Sequence, residues 1–139
     1  MLYPIAIEKG DDQTAYGVSV PDVPECFSAG DTFEEAVINA KEALELHFEA
    51  LAEQGQLPPL ASSIDHFMTR PDYEGWVWAL VEIDLEPFLG KASKINVTLP
   101  NLLTRKIDEL VKCNPAYKSR SHFLQVAASH EFEKLQGMG

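Results

Sequence analysis

The stretch Lys94-Ile95-Asn96-Val97-Thr98-Leu99-Pro100 constrains this chain more than any other. Strict alternation puts Ile95, Val97 and Leu99 on one face of an extended strand and Lys94, Asn96 and Thr98 on the other. Pro100 lacks the N–H that a continuing strand needs and suits the first turn of a helix. Two helical patterns follow, separated by a polar turn. A lone strand ahead of two helices leaves its backbone donors and acceptors unmatched, so the pattern predicts pairing with a second copy of itself. Such an antiparallel pair presents its polar face to the major groove of DNA.

Charge supports the division that this implies. Residues 1–90 hold three Lys or Arg (Lys9, Lys41 and Arg70) against 18 Asp or Glu, a net of −15. Residues 91–139 hold eight against four, a net of +4. An acidic module joined to a basic one is a pointer to nucleic-acid binding by the basic part. Cys26 and Cys113 stand alone in different halves, without a CxxC or Cys/His cluster, so no zinc site and no disulfide framework is expected. No stretch is long and apolar enough to span a bilayer, and Met1-Leu2-Tyr3-Pro4-Ile5 lacks a basic leader region, which gives a soluble, cytoplasmic protein as the expectation.

In order, residues 2–8 read as a strand, with Pro4 suggesting an edge position or an irregular start. Gly10-Asp11-Asp12 turns the chain into a second strand over 14–20, and 26–29 form a short third strand ending at Gly30. Thr32 with Glu35 fits a capping box, and Phe33, Ala36, Val37, Ala40, Leu44, Phe48 and Leu51 recur at helical spacing. Gly55 is a natural residue just past the helix end, and Pro58-Pro59 prevents continuation. Residues 62–68 hold one further helical turn. Residues 76–85 are nearly continuously apolar and read as a strand buried on both faces. The result is an α+β chain: β-β-β-α-β over residues 1–86, a Pro/Gly/Ser-bearing linker over 87–93, and β-α-α over 94–135.

The strand, the helix after it and Lys118-Ser119-Arg120-Ser121-His122-Phe123-Leu124 resemble the ribbon-helix-helix family of DNA-binding repressors. The first part, with Pro21-Asp22-Val23-Pro24-Glu25-Cys26 and Gly30-Asp31-Thr32-Phe33-Glu34-Glu35-Ala36, is similar to the N-terminal domain of HicB antitoxins, a partial RNase H-like fold. Together the resemblances cover nearly the whole chain. They imply a type II antitoxin whose first domain binds and blocks an mRNA-cleaving HicA-type toxin. The second domain would repress the shared operon as a dimer, joined through strand 94–99; dimer and tetramer, the latter formed through the N-terminal domains, both remain open.

On the ribbon's polar face, Lys94 can donate to guanine O6 and N7, Asn96 can pair with adenine N6 and N7, and Thr98 can touch base edges or a thymine methyl. Lys118, Ser119, Arg120 and Ser121 sit where a helix begins, so amides, hydroxyls and positive charge can grip a phosphate. No catalytic group, metal or cofactor is expected. The middle of the first strand, Ile5-Ala6-Ile7, is apolar where an RNase H-type metal site needs an aspartate, and Asp11, Asp12, Asp22 and Asp31 fall in turns or at a helix cap. Two alternatives remain open: a ribbon-helix-helix transcription factor sensing a small ligand, and a metal-dependent ribonuclease. No spacing singles out toxin-contacting residues.

Overall fold

The computed structural model describes residues 1–137 and divides the chain into two compact units, Met1–Lys91 and Ala92–Gly139.

In the first unit, β1 (Leu2–Glu8), β2 (Tyr16–Ser19), β3 (Phe27–Gly30) and β4 (Val77–Glu82) form one antiparallel sheet in the order β3-β2-β1-β4. The long helix α1 (Phe33–Glu53) packs across one face. Its cap is the one the sequence predicts: the Glu35 amide donates to Thr32 Oγ1 at 3.1 Å. At the other end Gly55 takes a φ of 72°, the Gln56 amide bonds the Leu51 carbonyl and the Gly55 amide bonds that of Ala52. This is a Schellman stop, which the left-handed glycine makes possible. Ala36, Ala40, Leu44 and Phe48 meet Tyr3, Ile5, Ile7, Val18, Val81 and Ile83 in the core. Alanines near the helix start let it approach the sheet closely, and a Cβ on Gly30 would lie 2.4 Å from the Ala36 amide nitrogen.

The opposite sheet face is covered only in part. Helix α2 (Asp65–Met68) brings Phe67 into a stack on Trp78, with ring centroids 6.4 Å apart, and Tyr73 meets Trp78 edge-on at 5.2 Å. Asp22 holds the loop before α2 by accepting from the Ser62 amide and hydroxyl at 2.9 and 2.7 Å. Phe88 packs edge-on against Phe48 at 5.8 Å, which ties the turn after β4 to the first unit.

Two expectations are corrected. Pro4 marks neither an edge nor an irregular start: β1 is an inner strand, paired with β4 from Leu2 and with β2 from Ala6 on, so the missing N–H of Pro4 falls outside the β2 ladder. The apolar run 76–85 is not buried on both faces: β4 is an edge strand, with Val77 and Leu80 exposed while Val81 and Ile83 are buried. An apolar run of this kind is buried on both faces in an inner strand, whereas at the edge each face lacks a neighbouring strand on one side.

The second unit consists of α3 (Asn101–Cys113) and α4 (Arg120–Gly137) behind the extended segment 92–99. Pro100 stands just outside α3, and its carbonyl accepts from the Thr104 amide at 3.0 Å. Asn114 ends α3, accepting with Oδ1 from the Ala116 amide in an Asx turn.

Candidate functional site

Residues 92–99 make no backbone hydrogen bond among the described residues and are assigned neither helix nor strand. The reason is geometric: a β-ladder needs a second strand. The side chains nevertheless carry the two-faced pattern, with Ile95 79% and Val97 57% exposed on the apolar side. Lys94, Asn96 and Thr98 are exposed as well. Exposed branched apolar residues flanked by polar ones are surface that a partner removes from water.

At the start of α4, Ser119 is the cap. Its Oγ accepts from the His122 amide at 3.1 Å, and the Lys118 amide donates back to His122 Nδ1 at 3.2 Å. A histidine thus stands at the Glu or Gln position of a capping box, but accepts from the amide just before the cap residue and not from that of the cap itself. The first-turn amides of Arg120 and Ser121 have no intrahelical acceptor, and the exposed Lys118 side chain adds positive charge beside them. Arg120 has an additional attachment: its Nε and Nη2 donate to the two Asp108 carboxylate oxygens at 2.9 and 2.6 Å. This fork ties α4 to α3 and orients the guanidinium. It also holds the Asp108 carboxyl below its usual range and raises Arg120 above its own. Asp108 is not apparent from spacing, because a 12-residue separation across a turn has no periodic signature; His122 has capping-box spacing from Ser119 but not the usual residue type.

In the first unit, Asp11, Asp12 and Asp31 line a shallow hollow of about 310 Å³. Asp11 is engaged locally: its carboxylate accepts from the Gln13 amide at 2.8 Å, which lowers its pKa. No group of three His, Cys, Asp or Glu among the described residues is placed to hold a metal ion. Burial pushes the Cys26 thiol up. No described helix is long and apolar enough to cross a membrane.

A two-module chain, an acidic sheet-and-helix unit followed by a basic pair of helices behind an unpaired extended segment, is what this geometry defines. The chain belongs to the HicB-like antitoxin family of bacterial toxin-antitoxin systems, whose family model matches residues 3–128. It is 47% identical over 130 residues to an uncharacterised 14.9 kDa protein from the rep-hol intergenic region of Haemophilus phage HP1, covering 94% of this chain and 96% of that one. The crystal structure of Burkholderia pseudomallei antitoxin HicB is 40% identical, with a TM-score of 0.73 over 92% of this chain and 96% of its own. That of antitoxin HicB3 is 35% identical, with a TM-score of 0.81 over 94% and 97%. A HicA3–HicB3 toxin-antitoxin complex contains a chain 34% identical, with a TM-score of 0.54 over 60% of this chain and 99% of that one. The family is one of antitoxins, not of enzymes.

Proposed function

We propose that this chain neutralises a HicA-type toxin through its first unit and represses its own operon through its second, a ribbon-helix-helix dimer. The observation that carries the DNA half is the unpaired segment 94–99, with Ile95 and Val97 exposed on one side and Lys94, Asn96 and Thr98 on the other. Pairing two copies antiparallel about a two-fold axis satisfies the backbone, buries the apolar side and turns six polar side chains toward base edges. Lys118 and the first turn of α4 then anchor a phosphate, with Arg120 steadied by Asp108. The operator is correspondingly pseudo-palindromic. The toxin half draws support from the HicA3–HicB3 complex, whose antitoxin chain resembles part of this one. A net of −15 over residues 1–90 suits a basic, RNA-cleaving partner, since complementary charge speeds encounter and helps select the partner.

Two measurements test this. Co-expression with the HicA-type protein of the same operon should relieve growth arrest, and continued arrest with both proteins present refutes neutralisation. Asn96→Ala should weaken operator binding by about 1–3 kcal/mol and reduce discrimination against scrambled DNA. Unchanged discrimination removes Asn96 from base reading.

A further inference from the structure

The two edges of the four-stranded sheet are not equivalent. The β3 edge is only four residues long, and the Asn39 side chain closes it by donating from Nδ2 to the Ala29 carbonyl at 2.8 Å. Among the described residues, no side chain closes the β4 edge in this way. Its six residues, Val77-Trp78-Ala79-Leu80-Val81-Glu82, contain no Lys, Pro or Gly, the residues that usually blunt an open edge or interrupt its ladder.

The direction of its free groups follows from the register. Met1 and Ile83 exchange both bonds, N to O at 2.8 and 2.9 Å, so theirs is a hydrogen-bonded pair. In the same register Tyr3 lies opposite Val81, Ile5 opposite Ala79 and Ile7 opposite Val77. Antiparallel pairing alternates, so the intervening Trp78, Leu80 and Glu82 turn their N–H and C=O groups away from β1, toward the open edge. Pro4, with no N–H to give, sits opposite Leu80, where no ladder bond is made.

Beside this edge runs a groove of about 450 Å³ between β4 and α1, with Val37, Ile38, Leu80 and Val81 along it. Ile38, on the α1 wall, is 60% exposed; Leu80, 46% exposed, lies on the Trp78 face of the same edge. Glu42, Glu45 and Glu82 rim the groove, with Lys41 the single cation among the lining residues. An aligned row of free backbone groups next to an apolar groove is the requirement for strand addition. The acidic rim, set in a segment of net −15, selects a basic occupant and repels a second copy of the same surface.

We propose that the open edge of β4, with the groove beside α1, takes an extended segment of a basic protein as a fifth strand, and that this is where the toxin docks. The identity of that protein rests on the antitoxin reading above; the edge geometry does not.

The test is calorimetric titration of the full chain with the purified HicA-type toxin of the same operon. Leu80→Pro deletes an outward N–H while leaving the β1 ladder intact, and Ile38→Lys places a cation where the basic strand must lie. Each should weaken toxin binding at least roughly tenfold. Phe27→Asp, at the opposite edge, should leave it unchanged. Circular dichroism melts show whether Leu80→Pro still folds, and Ile38→Lys on the exposed helix face carries the test if it does not. If the unaltered chain fails to bind the toxin, the antitoxin reading falls and takes the partner's identity with it. If the unaltered chain binds while both folded variants bind equally well, the edge proposal alone is overturned. If Leu80→Pro lowers the mass of the toxin-free assembly by light scattering without changing toxin affinity, the edge belongs to a second copy and the proposal is again overturned.

Discussion

Replacing Ile95 by Ala tests whether segment 94–99 is a dimer ribbon. Ile95 is 79% exposed in the single chain, so it contributes little to the stability of either unit taken alone. In a paired ribbon the same side chain is buried. Ile→Ala removes about three carbons per strand at about 0.8 kcal/mol each. Scaled by the exposed fraction and doubled for two copies, the loss is about 4 kcal/mol, roughly a thousandfold in the dimer Kd. Sedimentation equilibrium across a wide concentration range reads this directly, as a halving of assembly mass at concentrations where the unaltered protein is fully associated. The melt of the first unit should not move, because its core is built from residues 3–83. An unchanged association constant would refute the ribbon, and a large drop in first-unit stability would show that Ile95 serves a different core.

Other substitutions address separate parts of the argument. Phe48→Ala empties the centre of the first core, where the ring meets Tyr3 at 5.4 Å and Phe88 at 5.8 Å; urea unfolding should show a loss of about 3–5 kcal/mol. Lys118→Ala should weaken binding to operator and scrambled DNA alike and flatten the dependence of log K on log salt by roughly one unit. The Asp108–Arg120 fork predicts an acid-side effect. Asp108 is depressed below 3.8 in the folded chain, so its contribution is present above that value and disappears as pH falls through the lower, folded one. The second unit should therefore lose stability on acidification below about pH 4, and Asp108→Asn should remove that part of the pH dependence in a thermal melt.

What could be read from the residues differs between the units for a physical reason. The cap at Thr32, the stop at Gly55 and the stripe from Ala36 to Phe48 are local or periodic signals, and they appear as read. The fate of 76–85 was not legible, because a run of Trp, Val, Ala and Leu looks the same at a central strand and at an edge. Strand order decides between them, and order is set by β1 pairing with both β2 and β4. The Ser-Arg-Ser entry to α4 was visible as a helix start, whereas the partners of two of its neighbours were not. Arg120 finds Asp108 across a turn, and His122 takes the capping role through the Lys118 amide. The first contact depends on how two helices sit together, which no spacing within either helix encodes; the second is local, with a histidine in place of the usual Glu or Gln.

The units also differ in how complete they are. Among the described residues, Ile107 is the one buried apolar side chain of the second unit, whereas Tyr3 through Ile83 close a core in the first. Leu102, Leu103 and Leu110 of α3 and Phe132 and Leu135 of α4 stay exposed along with Ile95 and Val97. Fewer than fifty residues rarely bury enough surface alone to offset chain entropy. In the proposed ribbon dimer, folding of this unit is coupled to the concentration of the chain itself, whereas the first unit has its own core. If the second unit represses the operon as proposed, this separation has a consequence. Dilution or proteolytic depletion would then melt the proposed dimer first, while the acidic sheet-and-helix unit, which closes its own core, would remain folded.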